Sequence, residues 1–488
     1  MLERLKLLLF TNRGIRQTVT KNSFWLSVSN FGGRFIRAII VVYAARVLGA
    51  EEWGVFSYAL TVAALLTIFV DFGVGPLLTR ESARLAQDAT RRKQIVSTSF
   101  YIRLVLLFFS ALLVLFVTPY ITTIEAAVAL LPIMAIIMVL DSFRDFFLSI
   151  ARALEKMEWE AYISLFTNAA VVVASIILLQ YSFSAEYLAY GYTLGITLGT
   201  IATIYLLRQE LRGLFSNFDF RYVRLILTAA VPYAVSAILA GLMISTDIII
   251  LGYFRSAEEV GLYSAVVRII QMIYIIPGIL AVSAFPLFSR LAFKEDIKLR
   301  TILERIIATM FLIALPLALG GALVAGPLTE LLFGGEYLPA TPAFQILLLT
   351  LLVNFPMVIL SNFVFAYNRQ RALVIFSIIG AVGNVVFDLL LIPGLGIIGS
   401  AWATLGSQVL CNAYLWWITK KINNFSVWTY LPKILGASAV MSLTVVLGIF
   451  MQWPVMVIVI LGGAVYALTL LLLKDPLFVE LRETLKLI

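Results

Sequence analysis

Two arginines lie near the middle of an apolar stretch, residues 22–48, that is long enough to cross a membrane. They are Arg34 and Arg37. On a helix that turns about 100° per residue, Ser27, Asn30 and Arg37 all lie within roughly 80° of Arg34 and form one polar stripe. A guanidinium at the bilayer centre costs about 2.5–3.5 kcal/mol. Two on one face therefore predict a wet cavity that binds an anionic substrate, with Ser27 and Asn30 as further polar groups of the cavity.

Other charged residues inside apolar segments have both a functional and a structural interpretation. Arg268 is a third candidate ligand for the substrate, and its alternative role is an ion pair with Asp247. Asp71, Asp247 and Asp388 are candidate ion-coupling groups, because carboxylates inside a membrane are functional by default. For Asp388 the alternative is a position near the outer end of its span, where it meets water.

Two further sets of charges favour structural roles. Asp141, Arg144 and Asp145 have the spacing i, i+3 and i+4, which predicts a neutralised cluster on one helix face. Arg103 is expected close to the inner surface, where a long side chain can extend its charged end into water.

Composition places the chain among membrane proteins. Hydrophobic residues make up 62% of the 488 residues and charged residues only 13%. The apolar runs are continuous over about 20 residues, which is typical of membrane helices and not of barrel strands. The net charge of +9 reflects basic inner loops more simply than nucleic-acid binding, so no nucleic-acid partner is expected.

Several classes of chemistry are excluded by residue usage. The chain has no histidine and one cysteine, Cys411, so it has no histidine-based zinc site, no Ser-His-Asp triad and no intrachain disulfide. It also lacks the glycine fingerprints of nucleotide-binding loops. We therefore expect a transporter with no catalytic residues, metal site or cofactor, driven downhill or coupled to Na⁺, H⁺ or the membrane potential.

The hydropathy pattern predicts an all-α polytopic membrane protein with fourteen transmembrane helices. Most of the 36 basic residues fall in the two tails and in alternate loops, which places both termini in the cytoplasm. The predicted parts are a cytoplasmic interfacial segment (1–21), an N-lobe with spans 1–6 (22–212), a C-lobe with spans 7–12 (213–424), and spans 13–14 with a cytoplasmic tail (425–488).

An internal repeat divides the first twelve spans into two halves. The segment Ala50–Ser57, AEEWGVFS, recurs 207 residues later as Ala257–Ser264, AEEVGLYS. Because six spans separate the copies, both enter the membrane from the same side. This predicts two six-helix lobes related by a pseudo-two-fold axis along the membrane normal, with two extra helices at the C-terminus. At the same offset Arg34 and Arg37 correspond to Gly241 and Ile244, so the fold itself does not need arginine there.

Three segments resemble the polysaccharide transporter (oligosaccharide flippase) family of the multidrug/oligosaccharidyl-lipid/polysaccharide exporter superfamily. They are AEEWGVFSYA, DFGVGPLLTRESAR and GNVVFDLLLIPGLGIIGSAWATLGSQV. The resemblance implies a flippase that moves an oligosaccharide on a polyprenyl pyrophosphate carrier from the inner to the outer leaflet by alternating access. It also implies that Arg34, Arg37 and Arg268 hold the pyrophosphate and that spans 13 and 14 line a groove for the polyprenyl tail. Asp388 departs from the asparagine expected at its position.

The expected setting is surface polysaccharide biosynthesis at the cytoplasmic (inner) membrane, with the lipid-linked oligosaccharide, the bilayer and other polysaccharide-assembly proteins as partners. Two alternatives stay open. An ion-coupled drug or metabolite exporter of the same superfamily would typically use acidic residues in the first lobe and twelve spans. A membrane glycan polymerase or ligase would need a large outer loop, which this chain lacks.

Overall fold

The computed structural model describes residues 14–85, 88–293 and 296–480, and all regular structure in these ranges is helical. Most of the predicted interfacial segment, residues 1–13, lies outside the described residues, as does the end of the tail, 481–488. The α-helices are α1 (Ile15–Asp71), α2 (Val74–Arg84), α3 (Ala89–Leu112), α4 (Thr118–Ile121), α5 (Glu125–Ala153), α6 (Met157–Leu179), α7 (Ala185–Leu207), α8 (Arg221–Phe254), α9 (Ala257–Ile273), α10 (Ile275–Leu291), α11 (Asp296–Phe333), α12 (Thr341–Ala366), α13 (Gln370–Ile422), α14 (Leu431–Phe450) and α15 (Val455–Leu472). A π-helical turn, Leu113–Val117, follows α3, and a 3₁₀-helix, Gly335–Ala340, precedes α12.

Twelve helical segments in the described ranges are long and apolar enough to cross a membrane. Two of them, Lys21–Arg84 with 64 residues and Gln370–Ile422 with 53, far exceed the roughly 20 residues that one crossing needs. Each contains a non-helical glycine, Gly49 with φ 76° and Gly396 with φ 55°. Glycine adopts a positive φ at little cost, and both breaks lie where the sequence predicts a turn between two spans. The all-helical polytopic class is confirmed, and the count of fourteen spans stays a prediction.

The two copies of the repeated segment contact each other through their glycines. A β-carbon on Gly54 would lie 1.8 Å from the carbonyl oxygen of Ala257. In return, a β-carbon on Gly261 would lie 1.8 Å from the carbonyl oxygen of Ala50. Small residues allow helix backbones to approach this closely inside a membrane. The reciprocal contact explains why both copies carry glycine at the same position.

The chain forms two compact units, Met1–Gly261 and Leu262–Ile488. In the first unit α8 packs against α1 and α2, with Gly241 against Ile68 and Gly73 against Ala230. The repeat assigns α8 to the second lobe, whereas α8 belongs to the first compact unit. The boundary between the repeats therefore differs from the boundary between the compact units. The predicted lobe boundaries stay a prediction.

In the second unit the C-terminal helix pair is fixed to α11. Met441 of α14 and Tyr466 of α15 belong to one buried apolar cluster with Leu312 and Leu315 of α11. The Tyr466 hydroxyl donates a hydrogen bond of 2.7 Å to the carbonyl oxygen of Leu312. The pair that the sequence places outside the repeat is therefore anchored to it by both packing and a buried polar contact.

Replacing Gly54 or Gly261 with alanine is expected to destabilise the protein by at least about 1–3 kcal/mol, because the added methyl group must displace a backbone carbonyl. Gly463→Ala is the matched control, since a β-carbon there meets nothing within 4 Å and helix propensity improves. The thermal unfolding midpoint of each purified variant measures the effect. Equal midpoints for Gly54→Ala and Gly463→Ala would contradict the packing described here.

Candidate functional site

The polar stripe predicted in the first span lies on α1. Asn30, Arg34 and Arg37 are exposed, and Ser27 is partly buried. The Ser27 hydroxyl donates to the carbonyl oxygen of Ser23 at 2.8 Å, and the Asn30 amide donates to that of Leu26 at 2.9 Å. Both hydrogen bonds stay within α1. Ser27 and Asn30 therefore do not occupy Arg34 or Arg37, which remain available to a ligand.

The two arginines of the stripe differ in their surroundings. Arg37 Nε donates to Asn168 Oδ1 of α6 at 3.0 Å, and Asn168 Nδ2 donates to the carbonyl oxygen of Ser164 at 2.7 Å. Gly33 permits this approach, because a β-carbon there would lie 2.9 Å from Asn168 Nδ2. Arg34 makes no hydrogen bond or ion pair with any other residue that the structure describes. Arg37 is thus oriented by the protein, whereas Arg34 presents its whole guanidinium to its surroundings.

Asn168 is a site residue that the sequence reasoning missed. It is buried, and the available signal was an asparagine that precedes the apolar run of the second half of α6. Hydropathy gives its depth in the membrane but not the helix that it faces, so its contact with Arg37 needed the structure.

Arg268 and Asp247 belong to different compact units of the chain. Arg268 lies partly buried on α9. Asp247 lies on α8 with 5% of its surface exposed, and its Oδ1 accepts a hydrogen bond of 2.8 Å from the backbone nitrogen of Ile248. The choice between a substrate ligand and an ion pair for Arg268 stays a prediction.

The expectation that Arg103 extends to the inner surface is wrong. Its side chain is 2% exposed and donates to Asp71 Oδ1 at 3.0 Å and to the Ser142 hydroxyl at 3.0 Å. It also lies 3.5 Å from Asp145 Oδ2. A guanidinium can be buried here because two carboxylates and a hydroxyl on other helices compensate its charge and donors. Asp71, which the sequence gives as a candidate ion-coupling group, is therefore one partner of a buried ion pair.

The cluster on α5 is confirmed in part. Arg144 Nη2 contacts Asp141 Oδ1 at 2.7 Å, as the spacing predicts. Asp145 instead contacts Arg103 and, at 3.5 Å, Arg152. Arg152 also forms an ion pair with Glu160 of α6 at 2.9 Å. Helix spacing gave the local pair correctly, but Asp145 is used to connect neighbouring helices.

Asp388 does not meet water near the outer end of its span, because its exposed fraction is 0%. Its Oδ2 accepts a hydrogen bond of 3.1 Å from the side-chain amide of Asn384, one turn earlier on α13. Ser407 donates to Asn384 Oδ1 at 3.0 Å and so extends the polar chain. A carboxylate this deeply buried needs a compensating charge or a proton. In the described ranges, no group of three or more acidic or cysteine side chains is placed to hold a metal ion.

Comparisons with known proteins agree on a membrane-transport fold. A family model described as "Polysaccharide biosynthesis protein" matches residues 19–292. A relative from Shigella flexneri, named for O-antigen transport, is 24% identical over 335 residues and covers 66% of this chain and 78% of its own. A second, from Haloferax volcanii, is named as a probable flippase of low-salt glycan biosynthesis. It is 20% identical over 390 residues, which cover 79% of this chain and 80% of the relative.

Solved structures resemble the whole chain at low sequence identity. A lipid II flippase in an inward closed conformation superimposes with a TM-score of 0.74 at 16% identity, covering 92% of this chain and 98% of that one. An inward-facing multidrug resistance transporter of the MATE family gives a TM-score of 0.60 at 17% identity, covering 86% and 98%. At these identities the likeness shows the fold alone, and it confirms the predicted all-α polytopic architecture.

Replacing Asp71 with asparagine is expected to lower stability by about 3–5 kcal/mol, because it removes the nearest carboxylate from a buried guanidinium. The double variant Asp71→Asn with Arg103→Met should recover part of this loss, since the buried charge is then gone as well. Thermal unfolding of the purified variants in detergent measures both effects. A single variant as stable as the wild type would show that Asp71 does not stabilise Arg103.

Proposed function

The chain belongs to the polysaccharide biosynthesis protein family, and from that premise we propose that it is a flippase for a lipid-linked glycan. In the finer form of the proposal, the cargo is an oligosaccharide on a polyprenyl pyrophosphate carrier. It crosses from the inner to the outer leaflet by alternating access, for surface polysaccharide biosynthesis. The protein is a multi-pass membrane protein, and we propose that it lies in the cytoplasmic membrane. We place both termini inside, because of the distribution of basic residues.

The observation that carries this proposal is the exposed pair Arg34 and Arg37 in the apolar α1. A pyrophosphate presents several charged oxygens, and a guanidinium is a planar fork that can donate two parallel hydrogen bonds to them. Asn168 occupies Nε of Arg37 and so leaves the other two nitrogens of that guanidinium for a ligand. Arg268 is proposed as the third pyrophosphate ligand, because the resemblance to the transporter family implies this role for it.

The C-terminal pair supports a place for the carrier lipid. Leu443, Phe450 and Ile460 of α14 and α15 expose 66%, 85% and 66% of their surfaces. This apolar surface lies on helices that are fixed to α11, so its position is stable. Its apolar character matches that of a polyprenyl chain. We propose that α14 and α15 bind the tail, while the arginines bind the charged head.

Transport is proposed to be coupled to Na⁺, H⁺ or the membrane potential, with Asp388 as the leading coupling residue. It is completely buried in the apolar α13, where binding a proton or a cation changes the local charge in a low-dielectric site. Asp247 is retained as a second candidate. Asp71 is a weaker one, because Arg103 already compensates its charge.

Export of an organic cation, as in a multidrug transporter, is the second candidate function. The MATE-like fold favours it. Against it stand the exposed arginines of α1, which would repel a cation. A chain with this site is expected to transport an anionic cargo without chemical conversion.

The double variant Arg34→Ala with Arg37→Ala is expected to insert normally and to reduce surface glycan export by roughly 100-fold, because it removes at least two charge-assisted hydrogen bonds to the cargo. The matched control is the double lysine variant, which keeps both charges but loses the forks and should retain part of the activity. Asn168→Leu should give an intermediate loss by releasing Arg37. Glycan export is measured in cells that depend on this protein, alongside its membrane abundance. Normal export by the alanine pair would refute the assigned site.

Asp388→Asn is expected to abolish the dependence of flipping on an imposed Na⁺ or H⁺ gradient, because the amide cannot ionise. Asp141→Asn is the control, since that carboxylate is already paired with Arg144 at 2.7 Å. Flipping of a fluorescent lipid-linked oligosaccharide in proteoliposomes provides the measurement. An unchanged gradient dependence in Asp388→Asn would exclude this residue as the coupling group.

A further inference from the structure

A cavity of about 200 Å³ lies in the first compact unit, at the end of the helices that the charge pattern places in the cytoplasm. It is surrounded by the end of α2, the beginning of α3, the end of α5 and the turn that follows α7. At about 30 Å³ per water molecule in the liquid, it has room for roughly six waters or a small polar group. It lies apart from the arginines of α1, and nothing in the proposed transport of a glycan uses it.

The charges on the wall of this cavity are predominantly positive. Arg92, Lys93 and Arg212 line it, and none of them has a hydrogen bond or an ion pair from its side chain to another described residue. Glu210 also lines it, but Lys156 lies 3.4 Å from that carboxylate and compensates its charge. Three cations therefore line the same small space, Arg92 partly buried and Lys93 and Arg212 exposed, and the described part of the chain supplies no ion-pair partner for them.

The position of two of these cations opposes the usual electrostatics of a helix. Arg92 and Lys93 lie in the first turns of α3, which begins at Ala89 with Asp88 as its N-cap. The N-terminal end of a helix carries a partial positive charge and favours anions. Basic side chains there add to that charge, so the site attracts an anion more strongly than a lysine or arginine at a helix C-terminus would.

A buried hydroxyl on the cavity wall points independently to a polar ligand. Ser82 of α2 is 4% exposed, and its hydroxyl has no hydrogen-bond partner within the described residues. A buried hydroxyl without a partner is costly, so such groups normally meet a polar atom. A serine hydroxyl can donate to an oxygen of a bound anion.

The wall opposite α3 is held in a defined position. The Ser97 hydroxyl donates to the carbonyl oxygen of Leu214, and the Tyr101 hydroxyl donates to that of Phe215 at 3.1 Å. Gly213 lies in the same turn with φ 83°, a left-handed conformation that favours glycine. The turn that carries Arg212 is thus fastened to α3, which carries the other two cations.

We propose that this cavity binds a phosphate group through Arg92, Lys93, Arg212 and the Ser82 hydroxyl. The source is either the headgroup of an anionic lipid of the adjacent leaflet or soluble phosphate. Binding at this site joins the end of α2, the beginning of α3 and the turn after α7, so the ligand stabilises the first unit whatever cargo the protein carries.

The test measures the thermal unfolding midpoint of the purified full-length protein against two probes. One is inorganic phosphate, compared with chloride at equal ionic strength. The other is phosphatidylglycerol in nanodiscs, compared with phosphatidylcholine alone. A saturable rise with phosphatidylglycerol only identifies a lipid headgroup, and a rise with inorganic phosphate identifies the soluble anion. No saturable rise with either probe would overturn the proposal.

Matched variants distinguish the cavity from general surface attraction. Arg92→Gln with Lys93→Gln is expected to weaken binding at least about tenfold, because charge-assisted hydrogen bonds are lost. The single variant Arg92→Gln should also weaken binding, whereas Arg91→Gln, which removes one charge from the same turn but does not line the cavity, should bind like the wild type. Equal weakening by Arg91→Gln would overturn the proposal.

Ser82→Ala tests the hydroxyl separately. Without ligand its midpoint should equal or exceed that of the wild type, because the hydroxyl has no described partner to lose. With ligand the rise in midpoint should be smaller than in the wild type. A variant that is less stable without ligand but binds it normally would show that Ser82 has a structural role and would overturn its assignment.

Discussion

A charge inside the bilayer must find compensation, and this chain meets that constraint in two opposite ways. Arg103 is 2% exposed and is surrounded by Asp71, Asp145 and Ser142 from other helices. Arg34 is exposed on α1 and has no such partner among the described residues. Removing a guanidinium from water is too costly to leave uncompensated, so the first arrangement belongs to the fold. The second requires water or a ligand from outside the chain, and this is why Arg34 belongs to the proposed cargo site.

Arg37 stands between these extremes. Its Nε is bound by Asn168, which is itself fixed by the carbonyl oxygen of Ser164, and the remaining donors are left for other partners. Holding one side chain in place before the ligand arrives reduces the entropy that binding must overcome. A wholly fixed site would hold its cargo through the transport cycle, whereas a transporter must also release it. In the proposed site, one oriented arginine beside one that has no partner among the described residues would meet both requirements.

The sequence predicted those properties that depend on local pattern. Continuous apolar runs gave the helical membrane class, and the spacing of Asp141 and Arg144 gave their ion pair. It could not predict contacts between distant helices, because hydropathy places a residue along the membrane normal but does not say which helix it faces. The burial of Arg103 and Asp388, and the contact of Arg37 with Asn168, all depend on that missing direction. Two of the twelve long helical segments are broken at Gly49 and Gly396, where the sequence predicts a turn between two spans, so the predicted count of fourteen stays compatible with these segments.

The duplication shows how one fold can carry a site on one side only. Gly54 and Gly261 occupy equivalent positions and make the same contact in both directions, so at this point the two copies serve the same structural purpose. Arg34 and its counterpart Gly241 do not. Gly241 is buried against Ile68 of α1, and a β-carbon there would lie 2.1 Å from the end of the isoleucine side chain, which would have to move. Packing against α1 therefore distinguishes Gly241 from the exposed Arg34. Ile244, the counterpart of Arg37, is 57% exposed, so at that position the two copies differ in charge without a difference in packing that requires it.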